Sequence, residues 1–565
     1  MDHRNSTTDA STGVVGHTLR LGLVALVYTA LTVFAFRNFI PHVGSTLIGP
    51  PEDNMQDFWN TWYAASQVRT FHDLGYTNLL GHPEGMTLYY HSFSYPKLAV
   101  AMIFGALFGA HLTHLVVLEN LLLVISFPIS AIGGFYLVRH FTRDTFGALV
   151  GGAVFAFNPV HVAHVQHHMH VSSIEFIPFF ALFFILAVER RSRGFALLST
   201  LCFVLSALSC WYYLFYCAYF MAFLYAVVAI KQRRFLNVWP LIVILCNIVG
   251  LLVLLSPLLV PMVLQAARGE NVYAPGTETI VADLFGYVAF PPVHFLSALS
   301  EHIYSHLTGP TWESTVYLGL VNIALLAWLI LRRKRLDRDL IAFVLSGMGV
   351  FAVIASGNHL HVLGRSTIPL PGLLLSYLPF FKNVRGPSRA MVLVYLFLSI
   401  GIGYAISTIW RERGATWIGR GTVTVVVLLM ALDFYPRGLP DTPVACLPAY
   451  SLVAQDTDRH AGVLDLPQGY IEGNAYMMYQ ACHLHPIVAR NVARPVYKTL
   501  NDHLQLRDLD QQRRQLTENH VKYIVIHPSQ GEFFQWPPED VMPPQYPRTY
   551  PVLYSGNDAV VFGVY

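Results

Sequence analysis

Two aspartates, Asp53 and Asp57, stand among tryptophans in the stretch PPEDNMQDFWNTWY. Carboxylates at a membrane surface cost free energy unless something needs them. One of the two could act as a general base, and the other as its partner or as a ligand to a metal ion. The plainer alternative makes them solvated loop residues or a helix cap beside an interfacial belt of tryptophans. If residues 53–64 are helical, Met55, Phe58, Trp59 and Trp62 share one face by the i, i+3, i+4, i+7 rule. Such a helix would rest its aromatic side in the membrane interface. Asp53, Asp57 and Asn60 would then point toward an outward-facing cavity.

A second group is the run HVAHVQHHMH at 161–170, with five histidines. On a helix His161, His164 and His168 share a face at a spacing compatible with a metal ion, and Glu175 is near enough in sequence to complete a site. Pro159 precedes the run and no HExxH pattern exists, so a divalent metal is an alternative to hydrogen bonding of phosphate or sugar, or to ordinary interfacial histidines. A third group is FFKNVRGPSR, with Lys382, Arg385 and Arg389. Its cations could touch anionic lipid or water, or could hold a phosphate, for which the planar, always charged guanidinium is well suited. Gly386-Pro387-Ser388 fits a turn and a helix start. Glu119, within an apolar segment, must find a partner or line a cavity. Asp283, His294, Glu301 and Glu313 lie in the loop 265–314 and could bind an acceptor. No glycine-rich phosphate loop and no G-x-S-x-G elbow is present.

These groups are carried by a chain of 565 residues that is 54% hydrophobic and only 12% charged, about half the charge of a soluble domain. Segments of membrane length fall at about 19–39, 113–138, 145–159, 172–189, 194–209, 211–230, 236–264, 315–331, 340–355, 390–410 and 420–434, which predicts about eleven spans. The stretch from Leu21 reads as a retained first helix rather than a cleaved signal. KLAVAMIFGALFGA at 97–110 is short and reads as interfacial or half-inserted. On this count one set of loops holds 18 Lys and Arg residues and the opposite short loops hold 8. Short basic loops stay cytoplasmic, so the N-terminus is expected inside and the tail outside. The domains are then a transmembrane unit, 1–434, with an outer loop at 41–112, and an extracytoplasmic α/β unit, 435–565. The tail reads as GVLDLP, PIVA, a polar helix near 499–519, VKYIVIHP and a hairpin closed by Gly-Asn. Cys446 and Cys482 lie in it and could form a disulfide if it is outside. The net charge of +3, spread over separate loops, gives no nucleic-acid surface.

Three stretches together resemble a bacterial branch of the GT-C integral membrane glycosyltransferases: the D-x-x-x-D-x-x-W-N-x-W pattern at Asp53–Trp62, FAFNPVHVAHVQHHMHVSSIEFIPF, and KNVRGPSRAMVLVYL. The tail stretches VLDLPQGYIEGNAYMMYQACHLHPIVARNVARP and VKYIVIHP are similar to that branch's outer domain. Relatives that transfer aminoarabinose or mannose share the architecture but match only the first-loop acid. The resemblance implies an enzyme that moves a sugar from a polyprenyl phosphate to an acceptor hydroxyl on a lipid, glycan or protein. Transfer would take place at the outer face of a bacterial cytoplasmic membrane, with inversion at the anomeric carbon. It makes Asp53, with Asp57 second, the base, and Arg385, Arg389, Lys382 and His168 ligands of the donor phosphate. Trp59, Asn60, Trp62, His164 and Glu175 would contact substrate, and His483, His485 and Arg490 could face the cavity. The rival classes are a transporter or lipid flippase, and a non-catalytic envelope assembly protein. Transporters commonly show repeats and mid-membrane charges, and this chain gathers its polar residues at one face instead.

Overall fold

The computed structural model describes residues 6–233, 236–269, 279–375, 377, 385–494, 497–506, 508–527 and 545–565, with side chains from residue 21 onward. Lys382 lies outside the described residues.

The chain is a polytopic helical membrane protein with a small mixed sheet near its end. Among the described residues six helices are long and apolar enough to cross a membrane, and a seventh span results if the bent pair Thr145–Ala156 and Pro159–Val165 counts as one. The remaining segments read as spans are shorter helices: Leu21–Ala35, Arg193–Ser209, Leu320–Arg332 and Trp417–Asp433. The stretch expected to be half-inserted forms the helix Tyr95–Phe108.

Helix Met391–Arg413 is the hub, buried on nearly every side. It is apolar all round because it faces protein all round. Glycines let the neighbouring helix Thr145–Ala156 close on it. A Cβ on Gly403 would fall 2.9 Å from the Gly147 carbonyl oxygen, so these backbones touch where any side chain would separate them.

Helix Asp53–Ser66 forms where the spacing places it, but it does not rest in the membrane interface. Phe58, Trp59 and Trp62 are at most 2% exposed. They join a core that runs from the first outer loop into the tail, with Tyr476, Ile487, Val525 and Val561. Protein covers the aromatic face, so Trp59 and Trp62 are core side chains rather than substrate contacts. Trp59 stacks on Tyr63 at 4.8 Å and donates its Nε1–H to Gln480 Oε1 at 2.6 Å.

The tail's sheet has Gly462–Leu466 parallel to Val521–Ile526, then Val560–Gly563 and Val552–Ser555 antiparallel, in the order 462–466, 521–526, 560–563, 552–555. The expected polar helix near 499–519 divides into Leu500–His503 and Leu509–Glu518. Strand Asp441–Pro443 pairs with Thr46–Ile48 just ahead of helix Asp53–Ser66. Cys446 and Cys482 are disulfide-bonded, with Cα atoms 5.7 Å apart. This ties helix Tyr470–His483 to the segment that follows that strand pair.

His483, at the end of that helix, is fully buried. Its Nδ1 accepts from the His485 amide at 3.1 Å, and its ring stacks on Tyr450. Burial, then the charges of His485 and Arg459, push its pKa down to about 3. The unfolded chain therefore binds a proton here near pH 6.5 that the folded chain refuses, so stability is full above about pH 6.5 and is lost as pH falls toward 3. The thermal midpoint of the purified protein should fall on going from pH 7.5 to 5, and His483→Gln should flatten that fall.

Candidate functional site

Asp53 opens helix Asp53–Ser66 and is reached from two other parts of the chain. His168 Nε2 donates to its Oδ2 at 2.9 Å. The Tyr470 hydroxyl and the Asn474 amide donate to its Oδ1 at 2.7 and 3.2 Å. Burial pushes this carboxyl's pKa up, but the hydrogen bonds and charge of His168 and Tyr470 outweigh it and hold it below the ordinary value. Asp53 is therefore ionised at neutral pH.

Asp57 plays a different part. It is 5% exposed. Its Oδ2 accepts from the Met169 amide at 2.7 Å, and its Oδ1 accepts from Asn60 at 3.3 Å. Burial first and the Glu119 charge second push its pKa well up, so the neutral acid is favoured. It does not face the same opening as Asp53; it anchors the histidine turn. Asn60 is also buried, with its Oδ1 2.8 Å from His91 Nε2. Both are inner supports, because one turn of helix carries them below the surface that Asp53 occupies.

The histidine segment takes its shape from its own caps. Asn158 caps helix Pro159–Val165 by accepting from the His161 amide at 2.9 Å, with Pro159 at the first helical position. The helix then breaks, and Met169–Ser172 begins a new turn. Gly49, at φ +104°, lets the first outer loop approach: a Cβ there would lie 1.8 Å from the Gln166 carbonyl oxygen.

This break separates the three histidines expected on one face. His161 Nε2 meets Ser126 Oγ at 2.9 Å, its Nδ1 meets the Ala156 carbonyl at 2.6 Å, and its ring stacks on Phe127. With both nitrogens engaged, it is not part of a metal set. His164 and His168 are instead joined by Glu313, and the ligand atoms of these three lie within 4.8 Å of one another. His164 Nε2 is 3.8 Å from Glu313 Oε2. Both histidines have a buried Nδ1 without a hydrogen-bond partner.

Glu313 is also the partner of Arg389. Arg389 Nε lies 3.0 and 3.2 Å from its two carboxylate oxygens, and Nη2 bonds Oε1 as well. Burial raises the Glu313 pKa, but the charges of Arg389 and His164 hold it at about 2. Arg389 is thus engaged in a buried ion pair, with its guanidinium 4.7 Å from the Tyr212 ring, and its charge is not free for a phosphate. Arg385 is only partly buried and donates to the Ala493 carbonyl at 3.3 Å. Glu175 is not at Asp53 either: it is 6% exposed, and its Oε2 lacks a hydrogen-bond partner. His167 stacks on Trp312 at 4.1 Å and pairs with Glu52 at 3.2 Å, at the rim.

The sequence reading missed Tyr470, Asn474, Glu52, Trp312 and His91, and left Glu313 without a definite partner. Tyr470 is 417 residues from Asp53, and only docking of the tail joins them. His483 and His485 face the tail's own interior, and Arg490 bonds Asp502.

Arg389 and Glu313 are both nearly buried. Removing the carboxylate leaves a charge without its partner, which costs about 3–5 kcal/mol. Glu313→Ala should lower the thermal midpoint clearly, and Glu313→Ala with Arg389→Met should recover part of the loss.

The fold is GT-C-like. It superposes on the oligosaccharyltransferase of Archaeoglobus fulgidus in its apo form with a TM-score of 0.52 at 11% identity, over 90% of this chain and 69% of that one. It superposes on the arabinofuranosyltransferase AftD from Mycobacteria with a TM-score of 0.53 at 14% identity, over 90% of this chain and 35% of that one. This chain therefore spans about a third of the length of AftD. No curated protein matches the sequence. Residues 22–435 match the family described as a domain of unknown function (DUF6311); that stretch is most of the chain, and the protein belongs to this family.

Proposed function

We propose that this protein is a membrane glycosyltransferase that moves a sugar from a polyprenyl-phosphate donor to an acceptor hydroxyl. Its N-terminus would be cytoplasmic and its site on the outer face of a bacterial cytoplasmic membrane. The observation that carries this reading is Asp53: an ionised carboxylate, 19% exposed, fixed by His168, Tyr470 and Asn474 at the meeting of loop, bundle and tail. The GT-C-like fold supports the reaction class, and the gathering of polar groups at one end of the bundle favours surface chemistry over translocation.

In this reading the acceptor oxygen attacks the anomeric carbon while the bond to the phosphate oxygen breaks, and that electron pair leaves with the lipid phosphate. The acceptor's proton passes to Asp53. With its pKa held down, Asp53 is a modest base, which suits a late proton transfer made easier by the new bond. His168 and Tyr470 keep the carboxylate aimed. Trp312, stacked on His167 beside Glu52, offers an aromatic surface with an acid at its edge, a pairing suited to a sugar ring.

The site also fits a divalent cation. Glu313 supplies a carboxylate, paired with the guanidinium of Arg389, and His164 and His168 add two imidazoles, with the three ligand atoms within 4.8 Å of one another. A mixed nitrogen and oxygen set suits zinc and its neighbours more than magnesium or calcium. A cation bound there would supply positive charge to the phosphate region.

Asp53→Asn is expected to reduce glycan transfer by at least a hundredfold without changing the thermal midpoint. Asp57→Asn, which mimics the neutral acid, should keep most activity, whereas Asp57→Ala should destabilise the protein. Membranes supplied with a panel of radiolabelled polyprenyl-phosphate sugars provide the assay, and full transfer by Asp53→Asn would remove the proposed base.

Chelation with EDTA is expected to lower both transfer and the thermal midpoint, and added zinc or manganese to restore both. In Glu313→Gln the metal-induced rise in midpoint should vanish. An unchanged midpoint in wild type would leave the three groups as a hydrogen-bonding network only.

A further inference from the structure

Two aromatic rings reach the neighbourhood of Asp53 from distant parts of the chain, and both keep part of their surface open. Tyr470 is the first residue of helix Tyr470–His483. It gives its hydroxyl to Asp53 Oδ1 at 2.7 Å, yet 63% of the residue remains exposed. One exposed tyrosine needs no explanation; two fixed rings at one carboxylate do. Tyr470 is held at its backbone as well, since its carbonyl accepts from Asn491 Nδ2, which also bonds Asn474 Oδ1 at 3.1 Å. Trp312 comes from the loop 265–314 and is half-buried. It stacks on His167 at 4.1 Å, and His167 pairs with Glu52 at 3.2 Å. Glu52 precedes Asp53, and His167 precedes the histidine that bonds Asp53 Oδ2. Tyr470 thus meets the carboxylate at one oxygen, and Trp312 stands one residue removed from the contact at the other. Glu52, with its side chain 29% exposed, adds a hydrogen-bond acceptor beside Trp312.

A base takes its proton across a hydrogen bond, so the groups around it lie against the acceptor rather than the lipid end of the donor. Immobilised aromatic rings offer contact area at little cost in conformational entropy. A sugar ring has C–H groups on its faces and hydroxyls around its rim; aromatic faces suit the first and Glu52 the second. An extended peptide would be read by an open strand edge or an apolar groove. The strand just ahead of this helix, Thr46–Ile48, has three residues and is already paired with Asp441–Pro443. We propose that Tyr470 and Trp312 bind a saccharide acceptor, so that the hydroxyl delivered to Asp53 belongs to a glycan and the tail helps to select it. The proposal rests on the glycosyltransferase reading and deepens it. In the transfer the glycan O–H bond breaks and its oxygen bonds the anomeric carbon. The proton goes to Asp53, and the lipid phosphate leaves with the electron pair of the broken carbon–oxygen bond.

The test measures binding of the full-length protein in nanodiscs to an array of bacterial envelope oligosaccharides, to serine- and threonine-rich peptides, and to vesicles containing diacylglycerol. Wild type should bind saccharides and neither of the others. Trp312→Leu and Tyr470→Leu should each weaken that binding by about tenfold or more, with a sugar-free thermal midpoint close to that of wild type. Trp312→Phe should fall between, and it replaces Trp312→Leu if that variant does not fold. Tyr470→Phe separates the two parts of the tyrosine: saccharide binding stays because the ring remains, while transfer slows because Asp53 loses a donor. A merely structural Tyr470 would lose both together. Wild type that binds no saccharide, or binds it as well without either ring, overturns the acceptor assignment, and transfer to peptide or lipid would then leave the glycosyltransferase reading standing. A polyprenyl-phosphate sugar consumed with none of the three acceptors sinks that reading and the assignment with it.

Discussion

The outer end of this molecule depends on one helix docking against another. Helix Tyr470–His483 lies on helix Asp53–Ser66, and the contact joins an apolar seam to a polar one. The seam has Trp59 bonded to Gln480 and Tyr476 in the shared core; the polar edge has Asn474 and Tyr470 on Asp53. Burying two tryptophans favours the contact by several kcal/mol, and the hydrogen bonds give it one register. A slip by one turn would part Asp53 from one or both of Tyr470 and Asn474. The disulfide and the strand pair Thr46–Ile48 with Asp441–Pro443 hold both helices at their flanks, so the tail is a wall of the site rather than an appendage.

Charge is distributed below that contact with some economy. Asp57, Lys97, Glu119 and Glu175 are all buried, on four different segments. Three acids around one lysine could not all stay ionised in a low-dielectric setting, and the raised pKa of Asp57 is the visible sign. Asp53, one helical turn away, has the opposite character because the hydrogen bonds and charge of His168, with the Tyr470 hydroxyl, outweigh its burial. Two aspartates four residues apart are thereby divided into an ionised one at the surface and a neutral one that holds the histidine turn. The difference is created by what packs on each side of the helix.

Much of this was legible in the sequence. The apolar segments, helix Asp53–Ser66 and the two-stranded close of the tail follow from periodicity and turn residues, whereas the sequence offers the pairing of Cys446 with Cys482 only as one alternative, which the fold realises. The burial of Trp59 and Trp62 was not legible. A 3.6-residue period says that a face is apolar, and it is silent on whether lipid or protein covers it. A single helix across the histidine run, the condition for His161, His164 and His168 to share a face, does not form, for a local reason: the chain breaks after Val165, and Asp57 accepts from the amide that opens the turn that follows. Glu313 and Tyr470 could not be paired with Arg389 and Asp53 from spacing, since those contacts exist only after distant segments have packed.

That dependence explains why the first-loop pattern alone is a weak guide to chemistry. An aspartate in a loop near a membrane is equally at home in a transporter, a receptor or an enzyme. What separates these is whether the surrounding groups favour the ionised carboxylate and keep it reachable. Here three donors from two distant segments converge on it. The buried Glu313–Arg389 pair works from the other side: with His164 3.8 Å from Glu313, it ties the loop 265–314 and the turn before the hub helix to the histidine segment that carries His168 to Asp53.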